Sequence, residues 1–265
     1  MVDLFNGYHF GWGSRITTTA GYIHALRPSS DLWTRCLPKR TQILYTPDIS
    51  LILYLLDVRG GSVVAESGTG SGSLSHAMAC AVLPDGHVYT HDIDESRTRK
   101  VETEFREHGL AHVVTAVVQN VCTEGFFVEN SCDGVFLDVP SPWEAIDAAA
   151  IALSRPRGGR LVSFSPCIEQ VQRTCVAMKE KGFVQIETVE IVPRQLVVVD
   201  ERKQSLRDFA ANGDYEECAP GRGRKRKATG GREGLEDNNL TTIITPSTQP
   251  THTGYLTSAT MLPRL

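Results

Sequence analysis

Between residues 41 and 192 the chain alternates two hydrophobic patterns. Short runs of β-branched and other apolar residues predict strands at Ser62–Ala65, His87–His91, Val113–Val118, Asp133–Leu137, Gly159–Ser165 and Phe183–Val192. Longer segments with apolar positions at helical spacing predict helices at Asp48–Leu56, Ser73–Leu83, Ser96–His108, Glu144–Leu153 and Ile168–Lys181. Thr46-Pro47-Asp48 supplies a start signal for the first of these, because proline is pre-set for the opening turn of a helix. Strands and helices alternating at this spacing imply parallel strands joined by crossover helices, and so an α/β sheet covered on both faces.

The flanks break that rhythm. In residues 1–40, glycines at 7, 11, 13 and 21 punctuate an aromatic and Thr-rich stretch. Short strands are expected there at Thr17–Ala20 and Gly21–Leu26, as a small β-rich lead-in too short to hold a core alone. Residues 200–239 are charged, Gly-rich and poor in large apolar side chains, and they contain the basic run Arg222–Lys227. Such a composition cannot bury enough apolar surface to order itself, so an insertion over 200–245 is expected to be disordered. A last strand is expected over His252–Ala259. The organisation read from the sequence is therefore a β-rich region at 1–40, one α/β domain made of 41–199 with 246–265, and the insertion between its two parts.

Composition narrows the function classes. With 41% hydrophobic and 22% charged residues the 265-residue chain is ordinary globular material. Its net charge of -4 is unlike that of a protein that grips nucleic acid unaided, so an RNA substrate would call for a helper or for locally concentrated charge. The seven cysteines (36, 80, 122, 132, 167, 175 and 218) form no C-x-x-C pair, and no metal site is expected. Their odd number fits a reducing compartment. Residues 1–14 have neither a secretory nor an Arg-rich transit pattern, and no apolar run is long enough to span a bilayer, so no membrane partner is expected.

The strongest chemical signal is Val63-Val64-Ala65-Glu66-Ser67-Gly68-Thr69-Gly70-Ser71-Gly72: a buried strand, an acid, G-x-G-x-G, then a helix. Glycines let such a turn approach a ligand lying outside the carboxyl ends of the strands. Dinucleotide enzymes use G-x-G-x-x-G and bind a pyrophosphate, but their third glycine is replaced here by Ser73. Methyltransferases place an acid two residues before the first glycine, where Glu66 stands. S-adenosyl-L-methionine carries an ammonium and a sulfonium and no phosphate, which suits an acidic lip. Asp92 ends the next strand and can accept both ribose hydroxyls, or serve as a helix N-cap. Asn120 ends the strand after that, as an adenine contact or a polar loop residue. Asp138 ends the fourth strand on a loop stiffened by Pro140 and Pro142. Trp143 can stack on a base or cap the core.

With those residues in view, Arg40-Thr41-Gln42-Ile43-Leu44-Tyr45, the turn Glu66–Ser73, the run Val135–Trp143, Ser163–Cys175 and the tail His252–Thr257 together resemble the family of catalytic subunits of eukaryotic tRNA (adenine(58)-N1)-methyltransferases. The resemblance implies a class I, Rossmann-like methyltransferase with a seven-stranded doubly wound sheet, preceded by a small, shortened N-terminal domain, since the family has several more strands ahead of Val2. It implies S-adenosyl-L-methionine as cofactor and methylation of a tRNA T-loop adenine. It also implies a non-catalytic, methyltransferase-like partner subunit in a two-plus-two heterotetramer, and nuclear residence. Carried over by position, Gln42, Ile43, Leu44, Tyr45, Ser67, Gly68, Thr69, Gly70, Ser71, Gly72, Ser73, Leu74, Asp92, Arg97, Asn120, Val121 and Asp138 would line the cofactor and base pocket beside Glu66. Asn120 stands where relatives commonly have Asp. Asp138 is expected to act catalytically, by accepting a hydrogen bond from the exocyclic amine as N1 is alkylated. Three other readings stay open: a methyltransferase of another substrate, a degenerate non-catalytic subunit, and a dehydrogenase, which Ser73 weakens. The run Arg222–Lys227 reads as a nuclear localisation patch, a phosphate-contacting arm or a solvated linker.

Overall fold

The computed structural model describes residues 2–3, 9–192, 196–202, 239–244 and 254–264. Two short antiparallel pairs open the chain: β1 (Val2–Asp3) with β2 (His9–Phe10), then the hairpin β3 (Arg15–Thr18) and β4 (Gly21–His24). The expected β-rich region ends there. Its last part is a helix, α1 (Ser30–Cys36), capped by the Ser29 side chain, with Asp31 in its first turn and Arg35 in its last. The signal was local capping chemistry, in a stretch too short to show periodicity.

The rest follows the alternating pattern: α2 (Thr46–Leu55), β5 (Val63–Ser67), α3 (Ser73–Val82), β6 (His87–Asp92), α4 (Glu95–Glu107), β7 (Val114–Val118), α5 (Val121–Glu124), β8 (Gly134–Leu137), α6 (Ile146–Ala152), β9 (Gly159–Ser165), α7 (Ile168–Glu180) and β10 (Val184–Glu190). A single 3₁₀ turn, Pro142–Ala145, takes the first turn expected of the sixth helix, where the prolines disfavour α geometry. The four-residue α5 is barely more than one turn, too short for its spacing to show in the sequence. Next come β11 (Val197–Arg202) and β12 (Asn239–Ile244), paired antiparallel from Val197 with Ile244 to Arg202 with Asn239. The boundaries expected at 200 and 245 therefore cut through or abut a hairpin; residues 203–238, with the basic run, lie outside the described residues. This hairpin belongs to a second unit of the chain, and the sheet to the first. The chain closes with β13 (Tyr255–Met261).

Seven strands form one sheet in the order β10-β13-β9-β8-β5-β6-β7. The five from β9 to β7 run parallel, and β13 lies antiparallel between β9 and β10. Alternate sheet residues serve two cores. Val64, Val88, Phe136 and Val162 pack with Ile52, Met78, Val101 and Phe105 of α2, α3 and α4. Ala65, Val135, Leu137 and Leu161 pack with Ile146, Ala149 and Met178 of α6 and α7. The strand order reverses between β5 and β8, the place where a sheet of this type opens a crevice at its carboxyl edge. Among the described residues no helix is long and apolar enough to cross a membrane.

Leu161 is fully buried beneath α6 and α7, away from that crevice. Leu161→Ala is expected to lower the unfolding free energy by about 2–5 kcal/mol, read by urea denaturation as a lower midpoint at an unchanged slope.

Candidate active site

A pocket of about 520 Å³ opens at the carboxyl edge, within the usual size of a small-molecule site. The ends of four parallel strands deliver its polar groups: Glu66 on β5, Asp92 on β6, Asn120 after β7 and Asp138 after β8. The fourth wall is the segment Thr41–Leu44 between α1 and α2. Of the residues expected to line it, all do so except Tyr45 and Gly72. Tyr45 is the N-cap residue of α2, and its hydroxyl accepts from Lys39 Nζ at 3.1 Å. Gly72 starts α3 in a left-handed conformation; a Cβ there would press against Val101 of α4 at 3.0 Å, so this glycine serves helix packing.

The remaining glycines serve the turn. Gly68 has φ +98°, and a Cβ on it would run into the Asp138 carbonyl oxygen, so β5 and β8 can end side by side only with glycine here. The turn spends its own amides. Gly68 and Thr69 N–H donate to the His91 carbonyl at 2.9 and 3.1 Å, Gly72 N–H to the Thr69 carbonyl at 2.8 Å, and Gly70 N–H to Asp92 Oδ2 at 2.9 Å. A pyrophosphate cradle needs such amides free, so this donor set argues against a dinucleotide.

The acids differ from one another. Glu66 is no lip: it is completely buried, and its Oε2 accepts from Thr90 Oγ1 at 2.7 Å and from Ser75 Oγ. Burial pushes its carboxyl up to about 7 against the pull of those two hydroxyls, with the Asp138 and Asp92 charges adding to the rise. Asp138 is half-buried, and desolvation of its carboxyl raises it to about 6. Among the described residues its carboxyl accepts no hydrogen bond, which leaves an acceptor facing the pocket. Asp92 is held by three protein donors: besides Gly70 N–H on Oδ2, Oδ1 accepts from Asp94 N–H at 3.0 Å and Arg97 Nη2 at 2.9 Å, which leaves an acceptor site on Oδ2. The helix N-cap is Asp94, which accepts from Arg97 N–H at 3.0 Å, so that alternative for Asp92 falls away. Asn120 caps α5, its Oδ1 accepting from Cys122 N–H at 3.1 Å, and its NH₂ group remains for a ligand. His91 is buried and neutral, its pKa lowered chiefly by burial; Nδ1 faces the Glu66 carbonyl at 2.9 Å while Nε2 accepts from Phe127 N–H at 3.1 Å.

Several lining residues were not foreseen, among them Ile93, Gln119, Val139, Ser141 and Glu144. Ile93, an aliphatic residue between Asp92 and Asp94, is 72% exposed and lays an apolar surface beside the acid. The loop after Asp138 is held by Gln170, whose Nε2 donates to the Pro140 carbonyl at 3.0 Å. Trp143 has the Arg173 guanidinium over one face at 5.1 Å. Among the described residues no group of three or more His, Cys, Asp or Glu side chains is placed to hold a metal ion.

A sheet of this order with one antiparallel strand, a glycine turn after β5 and acids at consecutive strand ends define a class I S-adenosylmethionine-dependent methyltransferase fold. Solved structures agree. A SAM-dependent O-methyltransferase from Thermotoga maritima superposes with a TM-score of 0.70 at 29% identity, covering 96% of this chain and 80% of that one. The tRNA (m1A58) methyltransferase TrmI from Aquifex aeolicus gives 0.65 at 17% identity over 95% of this chain and 90% of that one, a likeness of fold alone. The model of the tRNA methyltransferase complex GCD14 subunit family matches residues 21–261, and the chain belongs to that family. A tRNA (adenine(58)-N(1))-methyltransferase catalytic subunit of Dictyostelium discoideum is 37% identical over 95% of this chain and 83% of its own length. The corresponding subunit of Cryptococcus neoformans is 46% identical over 69% of this chain, and that of Candida albicans 42% identical over 71%. The match covers 43% and 57% of those two fungal proteins, so the chain spans about half their length.

The raised pKa of Glu66 carries a stability cost with a defined sign. Its favourable protonation is fully present below the unfolded value of 4.5 and is lost as pH rises through about 7. His76 and His91, whose pKa values are lowered by burial, act in the opposite direction, but equally in a Glu66 variant. The melting temperature of Glu66→Gln minus that of the wild type, both ligand-free, is therefore expected to grow steadily from pH 4.5 to 7.5 in thermal scans. A constant difference would contradict the assignment.

Proposed function

We propose that this chain transfers a methyl group from S-adenosyl-L-methionine to N1 of adenine 58 in the T-loop of tRNA, as the catalytic subunit of a complex with a related non-catalytic partner. The observation that carries this reading is an intact acidic pocket in a chain of the GCD14 subunit family: Glu66, Asp92 and Asp138 all line it, which a degenerate subunit would not need. The names of the relatives supply the acceptor. A net charge of -4 favours a partner that adds RNA-binding surface. A two-plus-two assembly and nuclear residence belong to the same proposal.

The residues fit the cofactor. The pocket offers four carboxyls, Glu66, Asp92, Asp138 and Glu144, and among the described residues its one lining cation, Arg97, is already paired to Asp92. That charge pattern suits an ammonium and a sulfonium and repels phosphate. Asp92, held by Gly70 N–H and Arg97, presents its carboxylate to ribose hydroxyls. Ile93 offers an apolar face to the adenine ring, and the Asn120 NH₂ group a donor to a ring nitrogen. Glu66 and the turn at Gly68–Gly70 take the amino acid end. When bound, S-adenosylmethionine supplies an electrophilic methyl group.

The acceptor adenine must leave its pair or stack to reach this depth. Its N1 already carries a lone pair in the ring plane, so no strong base is required. Positive charge develops on the ring instead, and the N6 amine becomes a stronger donor. Asp138, with its acceptor unsatisfied and a rigid loop behind it, takes that hydrogen bond and offsets the charge. Trp143 is half-buried and covered on one face by Arg173, which fits a packing role over base stacking.

Asp138→Asn is expected to weaken cofactor binding far less than it lowers kcat, which should fall by about 10²–10³-fold, measured as label transfer to unmodified tRNA with the partner present and followed by nucleoside analysis. With S-adenosylmethionine sub-saturating, the wild-type rate should rise with pH through about 6, as Asp138 ionises in the free enzyme, and the variant should lose that limb. Label recovered in a nucleoside other than 1-methyladenosine, or full turnover by the variant, would overturn the reading.

A further inference from the structure

Residues 37–45 join α1 to α2 with no regular secondary structure, yet four of them form a wall of the pocket. A segment without its own hydrogen-bond ladder holds its place only if side chains fasten it. The fastenings come from the serines of the glycine turn. Ser71 Oγ accepts from Arg40 N–H at 2.8 Å and from Thr41 N–H at 3.1 Å, and it lies 3.2 Å from Thr41 Oγ1. Two acceptor sites and one proton of a hydroxyl are thereby all used. Ser73 Oγ donates to the Leu44 carbonyl at 3.2 Å and is itself held by Thr34 Oγ1 at 2.9 Å.

One fastening is ionic. The Arg40 guanidinium forms a two-pronged pair with Glu104 of α4, Nη1 to Oε2 at 3.2 Å and Nη2 to Oε1. The two side chains are only 18% and 17% exposed, unlike the open i,i+4 pairs elsewhere on α4, so solvent screens this pair less. Neither Arg40 nor Glu104 lines the pocket. α4 also carries Arg97 in its first turn, so the pair ties the 41–44 wall to the element that steadies Asp92.

We propose that Arg40 and Glu104 are positioning residues for cofactor binding: their ion pair holds the 40–44 segment against the glycine turn, and so sets the affinity of the pocket for its adenosyl ligand without touching it. The proposal rests on the cofactor reading given above. Loss of the pair leaves the wall in place for only part of the time, and apparent affinity falls by that fraction.

The test uses the full chain, titrated calorimetrically with S-adenosylmethionine and with S-adenosylhomocysteine, alongside thermal scans and amide hydrogen exchange. Arg40→Ala and the gentler Glu104→Gln are each expected to raise both Kd values about tenfold, as for a wall in place about a tenth of the time. They should also speed exchange at the Arg40 and Thr41 amides, with a small change in melting temperature. The swap Arg40→Glu with Glu104→Arg should recover most of the affinity. Unchanged Kd values and exchange in the single variants would overturn the proposal, as would a swap no better than either single change. If the wild type failed to bind either ligand, the cofactor reading would fall, and the exchange rates would still decide whether the pair holds the segment.

Discussion

The structure depends on a carboxyl group kept out of water. Glu66 sits at the end of β5, completely buried, with two hydroxyls on one oxygen and, among the described residues, no cation of its own. A second carboxyl, Asp138, ends the neighbouring strand, and the two repel one another. A fold tolerates such an arrangement when a ligand later supplies the missing charge. That condition selects the ligand class: an organic cation without phosphate, bound where the strand order reverses.

The glycine turn reconciles this burial with close packing. Gly68 lets β5 and β8 end in contact, and Gly70 donates its amide to Asp92. The serines between and after the glycines face the other way, onto the 40–44 segment. One short sequence thus shapes the floor of the pocket with its backbone and fastens a wall with its side chains. The same economy appears at His91, whose ring joins the Glu66 carbonyl to the Phe127 amide.

Much of this was legible in the sequence, for physical reasons. Parallel strands buried on both faces show as apolar runs, and the strand ends carry their chemistry at the next residue, so Glu66, Asp92 and Asp138 could be placed in one crevice from spacing alone. What spacing does not encode was lost. The helix α1 was hidden in a stretch shorter than two turns, and α5 in four residues. Glu66 was expected on a lip because its acidity was visible and its depth was not. Tyr45 and Gly72 were assigned to the pocket by position in a motif, whereas the Tyr45 side chain is engaged by Lys39 and Gly72 packs against Val101. Ile93 was passed over because an exposed isoleucine has no meaning until its neighbours are known.

Before a ligand binds, Glu66 and Asp138 are partly protonated near neutral pH, and the positive charge of a bound S-adenosylmethionine ionises them. Calorimetric titration with S-adenosylmethionine at pH 6.5, repeated in buffers of different ionisation enthalpy, measures the protons exchanged on binding. A net release of about one proton per site is expected, with affinity rising as pH goes from 6 to 8. Binding with no proton release and no pH dependence would contradict it.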